Sequence, residues 1–109
     1  MQPKIRNRSE LLSAGDCDSR AVVLDIMDAA LQRLDAGRRI RSMASRQGDW
    51  LTIGARQWDL SKKAHVYVIG AGKACNAMAM AMESILGDRL THGIAIVKIQ
   101  DPQDCLTRI

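Results

Sequence analysis

His65-Val-Tyr-Val-Ile69, Gly70-Ala-Gly-Lys73 and Ala74-Cys-Asn-Ala-Met-Ala-Met-Ala-Met-Glu-Ser-Ile-Leu86 follow one another without a break, and this run decides the fold. The β-branched stretch 65–69 is long enough for a buried strand, and the glycines at 70 and 72 interrupt it. From Lys73 to Leu86 the pattern becomes helical. Ala74, Cys75, Met78, Ala81, Met82 and Ile85 share one face, and Gly87 stands where a glycine C-cap belongs. Gly93 to Ile99 then supplies a second β-rich stretch. A strand, a helix and a strand of these lengths predict a βαβ unit with parallel strands and a right-handed crossover.

Upstream the texture is helical. Ser9 to Ala14 predicts a short helix closed by Gly15. After Asp16 and Asp18, either suited to an N-cap, the residues Val23, Ile26, Met27, Ala30, Leu31 and Leu34 recur at helical spacing, with Asp25, Asp28, Gln32 and Arg33 on the opposite face. Gly37 is expected to end that helix. A further short helix is predicted from Arg38 to Ser45, with Ile40, Met43 and Ala44 inward. Its arginines, Arg38, Arg39 and Arg41 with Arg46 beyond, read as a solvated face in preference to a phosphate or nucleic-acid patch. Trp50 to Leu60 reads as a hairpin turning near Gly54. The fold class expected is therefore α/β: N-terminal helices over 1–60, then over 61–109 a βαβ unit of a parallel, Rossmann-like sheet, the whole forming an incomplete domain.

Composition sets the outer limits. A chain of 109 residues, 47% hydrophobic and 3% aromatic with no Phe, closes at most one modest core, built from Leu, Ile, Val, Met and Ala. The net charge of +4, spread along the chain, favours anionic ligands only weakly. Cys17, Cys75 and Cys105 form no Cys-x-x-Cys pair and leave an odd count, so a reducing cytoplasm fits best. No apolar stretch follows the basic residues of 1–10, so no signal peptide is read there. No window approaches the roughly 18 apolar residues of a membrane span. Neither a membrane nor a nucleic acid is an expected partner.

The expected site lies at the end of the first strand. Ligands of open α/β sheets bind beyond the carboxyl ends of the strands. Gly70 and Gly72 allow tight backbone geometry, the first-turn N–H groups of the helix attract anions, and Lys73 adds a mobile positive charge. A lysine is unfavourable to the dipole at a helix N-terminus, which argues against an idle one. Gly-Ala-Gly-Lys-Ala is not a P-loop, because one residue instead of four separates its glycines and Ala74 takes the place of the magnesium-binding hydroxyl. The dinucleotide fingerprint fits at Gly70 and Gly72 but meets Cys75 in third place, and Val97, Lys98, Ile99 and Gln100 offer no acid at the second strand's end. Cys75 reads as a small buried residue in preference to a nucleophile. His65 and His92 are solitary and neither is assigned to catalysis.

Val66-Tyr-Val-Ile-Gly-Ala-Gly-Lys-Ala74, Met78-Ala-Met-Ala-Met-Glu83, Ile85-Leu-Gly-Asp-Arg89 and Gly93-Ile-Ala-Ile-Val-Lys98, in this order, resemble the N-terminal region of the glycerate 2-kinase family. The likeness reaches forward to Asp101-Pro-Gln-Asp and back to Leu11-Leu-Ser-Ala-Gly, Arg20 and the helix from Val22 to Leu34. The resemblance implies transfer of the γ-phosphoryl group of ATP to the 2-hydroxyl of D-glycerate with a divalent cation, magnesium. Lys73 matches the family's active-site lysine, and Gly70, Ala71 and Gly72 would supply the turn and its backbone donors. Glu83 is read as structural. Members of the family are several times longer, and this chain stops before their His-Pro motif, glycine-rich nucleotide segment and C-terminal domain. The expectation is a fragment inactive without them, with an uncovered sheet edge and helix face that favour a homo-oligomer or a partner chain. The alternatives are the nucleotide-binding segment of an NAD(P)-dependent reductase and a non-catalytic interaction fragment.

Overall fold

The computed structural model describes residues 2–98 and 106–109, in two compact units, one ending at Asp35 and the other beginning at Ala36. The readings that fall on Ile99, Gln100, Asp101 to Asp104 and Cys105 lie outside the described residues.

In the first unit, α1 (Arg8–Leu11) precedes α2 (Cys17–Arg33). Asp16 is the cap, as its position suggests: its carboxylate accepts the Ser19 N–H at 3.2 Å and the Ser19 hydroxyl at 2.7 Å, bonds that hold its pKa below the ordinary aspartate value. Gly15 does not cap α1, which ends at Leu11 with Leu12 as C-cap. Side chains end it early: Ser13 donates to the Glu10 carbonyl, Arg20 to that of Leu11 and the Cys17 thiol to that of Leu12. Gly15 instead turns the chain into α2 at φ +76°.

The faces of α2 depart from expectation. Leu24 is its one buried residue, while Val23, Ile26, Met27, Leu31 and Leu34 are exposed, Ile26 to 65% and Leu34 to 79%. The N-terminal arm lies instead against the polar side. Asp28 accepts the backbone N–H groups of Lys4 at 2.6 Å and Ile5 at 3.0 Å and the Gln32 amide at 2.6 Å, and the Lys4 ammonium pairs with Asp35. Charge-assisted bonds from backbone N–H groups to a carboxylate hold the arm on that side.

The second unit opens with α3 (Ala36–Met43), followed by three short antiparallel strands, β1 (Ala44–Gln47), β2 (Trp50–Ile53) and β3 (Arg56–Asp59). Gly37 therefore does not end a helix; it is buried inside α3. The chain leaves the helix at Ala44, where a helix through Ser45 was expected. Both hairpins have two-residue turns led by a glycine at φ +58°, Gly48 between Gln47 and Trp50 and Gly54 between Ile53 and Arg56. The second hairpin is the one the sequence predicts; the first is additional.

A 3-10 turn (Leu60–Lys62) leads to β4 (Tyr67–Ala71), α4 (Cys75–Leu86) and β5 (His92–Ile96), with β4 and β5 parallel. This is the predicted strand–helix–strand order, shifted slightly. Gly70 and Ala71 are the last residues of β4, paired with Ala95 and Ile96, and the turn itself is 72–74. Gly87 caps α4 at φ +52°, as expected. The packed side of α4 carries Cys75, Ala79, Ala81 and Leu86, while Met78, expected inward, is 41% exposed. Leu51, Leu60, Leu86 and Leu90 form the core, with Val66, Val68, Met82, Ile85 and Ile109 against it. Each of these leucines contributes about 2 kcal/mol by burial.

Charged side chains hold the periphery. Arg46 donates to the Ile85 carbonyl at 2.9 Å and to Gly48 at 2.6 Å, and pairs with Asp88 at 3.1 Å, so it fastens β1 to the C-terminal end of α4. Glu83 accepts the Thr107 N–H at 2.8 Å, the Thr107 hydroxyl at 2.5 Å and the Arg108 N–H at 3.2 Å, and the Arg108 carbonyl accepts the Gly93 N–H. Residues 106–109 are thereby clamped between α4 and β5. Desolvation alone would raise the Glu83 pKa, but these donors outweigh it and hold the carboxyl below its ordinary value. A depressed carboxyl pKa gives stability that is present above the unfolded-state value and lost as pH falls through the folded one. The Thr107 and Arg108 amides are therefore expected to exchange slowly at neutral pH and to lose protection as the pH falls through and below the ordinary glutamate range. Glu83→Gln is expected to abolish that pH dependence, read by amide hydrogen exchange.

Candidate functional site

The strand end predicted as a site is assembled by three backbone features. Gly70 is the penultimate residue of β4, and a Cβ there would lie 2.6 Å from the Cys75 Sγ, so the missing side chain lets the first turn of α4 settle on the strand. Gly72 follows at φ +120° and donates its N–H to the Ile96 carbonyl at 3.0 Å, which ties the ends of β4 and β5 together. The Gly72 carbonyl accepts the Cys75 N–H at 3.2 Å, turning the chain straight into α4.

Gly70 and Ala71 thus close the strand, Gly72 opens the turn, and Lys73 stands within it, exposed. A Cβ at Gly72 would meet nothing within 4 Å, so open space lies beside this backbone. Ala74 is the N-cap of α4 and makes no side-chain cap bond, and the first turn holds no acidic residue. The Cys75 N–H is taken by the Gly72 carbonyl, and among the described residues the N–H groups that follow it in the first turn meet no side-chain cap from Ala74 and no acid of their own turn. Such a terminus together with a lysine can hold one carboxylate or one phosphoryl group.

Cys75 is buried, with 6% of its surface exposed, in keeping with its reading as a packing residue. The sequence does not reveal that it fits against Gly70; the only signal is a glycine five residues before a small helical residue. The Gly72–Ile96 bond has no sequence signal at all. The His65 and Tyr67 rings lie tilted to one another with centroids 5.8 Å apart. Below the turn, Ile40, Val68, Ile69, Met78 and Met82 line a shallow apolar groove of about 170 Å³. Among the described residues no group of three or more His, Cys, Asp or Glu is arranged to hold a metal ion. These residues fit an anion and do not fit a magnesium site. Nor is any helix among them long and apolar enough to cross a membrane.

A β-strand, a turn carrying Gly72 and Lys73, and a helix, closed by a parallel strand, define a mixed α/β chain of the kind that presents a helix N-terminus at a sheet edge. The family model described as a domain of unknown function (DUF4147) matches residues 22–109, from α2 to the last residue. The chain belongs to this family, which forms the N-terminal domain of the glycerate 2-kinases. Among curated proteins, a glycerate kinase of Danio rerio is 32% identical over 72 residues, which cover 66% of this chain and 14% of that protein. The aligned region thus spans about one seventh of that relative. No solved structure matches the chain.

The Gly70–Cys75 contact is open to a double-mutant test. Because Gly70 does not have a positive φ, Gly70→Ala is strained only by the approach to Sγ. The substitution is expected to lower stability by about 1–3 kcal/mol, as overpacking does. Adding Cys75→Ala is expected to restore most of that loss, measured by chemical denaturation with a coupling energy calculated from the cycle.

Proposed function

We propose that this chain supplies one wall of the active site of a glycerate 2-kinase-like enzyme, which transfers the γ-phosphoryl group of ATP to the 2-hydroxyl of D-glycerate. The observation that carries this reading is the exposed Lys73 at the positive end of α4, on the carboxyl edge of two parallel strands. The family membership and the glycerate kinase relative support it.

In this reading the first-turn N–H groups of α4 and the Lys73 ammonium take one anionic group, either the substrate carboxylate or the transferring phosphoryl. Lys73 neutralises charge that moves onto the phosphoryl oxygens as the bond to ADP lengthens, a purely electrostatic contribution. Gly70, Ala71 and Gly72 bring the backbone close to the ligand. Magnesium and ATP are the cofactors of the reaction; magnesium finds no ligand set among the described residues, and its coordination is assigned to the remainder of a longer kinase. Residues 1–109 then act as a partial N-terminal domain, with 61–109 carrying the site, in the cytoplasm and in concert with further polypeptide. The NAD(P)-dependent reductase reading has less behind it, since Cys75 occupies the third glycine position of the dinucleotide fingerprint.

Titration calorimetry of the purified chain with D-glycerate and with Mg-ATP tests the proposal. Lys73→Ala is expected to weaken binding of at least one of them ten-fold or more, with Lys73→Arg intermediate, and the isolated chain is expected to transfer no phosphoryl group. Equal affinity in the wild type and Lys73→Ala would remove Lys73 from the site. A saturable NADPH signal without one for ATP would favour the reductase.

A further inference from the structure

Two anchors hold the turn that carries Lys73, and only two residues lie between them. On one side the Gly72 N–H donates to the Ile96 carbonyl at 3.0 Å, which pins the turn to the end of β5. On the other, buried Cys75 has its Sγ 2.6 Å from where a Cβ of Gly70 would stand, which seats the first residue of α4 on β4. The Cys75 N–H reaches the Gly72 carbonyl at 3.2 Å and closes the span. Lys73 and Ala74 make up that span, and Ala74 makes no side-chain cap bond. The backbone of Lys73 therefore goes where the contact between residues 70 and 75 lets it go.

We infer that Cys75 is a positioning residue for the Lys73 turn, its thiol being the spacer that sets how far the first turn of α4 stands from β4, a role that rests on the reading of this helix end as an anion site. Packed interiors register a change of a single heavy atom. The gap between Gly70 and Cys75 holds one atom beyond the Cβ of residue 75, and Sγ is that atom; a methyl on Gly70 as well is one too many. Among the described residues that methyl would meet Sγ alone within 4 Å, its chain neighbours aside, and Gly70 does not have a positive φ, so the strand itself accepts alanine. Strain introduced at residue 70 thus reaches the turn through the thiol. Because Cys75 is buried and begins α4, relief comes from lifting the helix start off the strand. That movement re-aims the first-turn N–H groups and the Lys73 backbone, and hydrogen bonds to a ligand weaken steeply with angle. Moving the spacer atom from helix to strand, alanine at both positions, fills the same gap again.

The test compares the wild type with Gly70→Ala, Cys75→Ala and the double variant. Residual dipolar couplings of the amides of 73–77, read against those of β4, β5 and the rest of α4, report the orientation of the turn with no ligand present. Gly70→Ala, which overfills the gap, and Cys75→Ala, which empties it, are each expected to move these couplings out of the wild-type fit, and the double variant to bring them back. Calorimetry with D-glycerate and with Mg-ATP reads the consequence. Gly70→Ala is expected to weaken whichever ligand the wild type binds by about five-fold or more, and the double variant to recover to within about two-fold of wild type. Ile85→Val, at the other end of α4 and packed against the core, is the stability control: it is expected to lower the denaturation midpoint and to leave both the couplings of 73–77 and the affinity unchanged. A loss of affinity in Ile85→Val equal to that in Gly70→Ala makes the effect one of stability and overturns the proposal. Unmoved couplings in Cys75→Ala overturn it too, as does a double variant that stays as displaced as Gly70→Ala, because the perturbation then comes from the strand and not through the thiol. A wild type that binds neither ligand defeats the kinase reading, and the couplings alone then decide whether Cys75 places the turn.

Discussion

The second unit depends on one constraint, the parallel pairing of β4 with β5. Parallel neighbours cannot be joined by a tight turn, so the chain must cross over one face, and α4 is that crossover. Its position then dictates composition. A helix lying close to two strands leaves no room for large side chains where it touches them, which is why Gly70 meets Cys75 and why Ala79 and Ala81 are buried in α4. The same crossover fixes the electrostatics. It starts from the carboxyl edge of the sheet, so the positive end of α4 and Lys73 fall where both strands end.

How much of this the sequence discloses varies with what holds each element. The β4–α4–β5 unit is legible because its signals are local: a β-branched run, a glycine break, a helical apolar period and a terminal glycine. The two-residue offset of β4 arises because Gly70 and Ala71 are held by pairing with Ala95 and Ile96, a contact that local propensity does not encode. β1 is illegible for a related reason. Ala44-Ser-Arg-Gln47 has no strand propensity of its own, and what makes it a strand is its register with β2 and the Arg46 bonds to the far end of α4. For α2 the helix was legible from its period, but the period does not say which side the N-terminal arm adopts. Backbone N–H groups of Lys4 and Ile5 meet Asp28 and hold the arm on the polar side. The site's location was legible from strand-end logic and from resemblance, whereas the Gly72–Ile96 bond that steadies the turn arises only from tertiary structure.

Economy of core explains the role of charge in this chain. Without Phe, and with four buried leucines at the centre of the second unit, apolar burial supplies limited stability and leaves the edges to hydrogen bonds. Arg46 and Glu83 do comparable work at opposite ends of their surroundings. One guanidinium satisfies a helix C-terminal carbonyl and a turn carbonyl, and one carboxylate gathers donors from 107 and 108. Both bind across sequence separations of more than twenty residues, so each closes a long loop with a charge-assisted bond.

Lys73 is the place where local energetics and function diverge. An ammonium at a helix N-terminus opposes the macrodipole by about 0.3–1 kcal/mol, and an Asp or Ser at this end would stabilise α4 instead. The chain has neither: Ala74 caps without a side-chain bond and the first turn holds no acid. Among the described residues, neither the N-cap nor the first turn offsets the positive potential of this terminus, and a Cβ at Gly72 would meet nothing within 4 Å. Binding an anion would reverse the sign of both terms at once, relieving the dipole and the lysine together. The local arrangement at residues 72–74 therefore departs from what helix stability alone favours, and the proposed anion would supply at this end of α4 the negative charge that no described side chain provides.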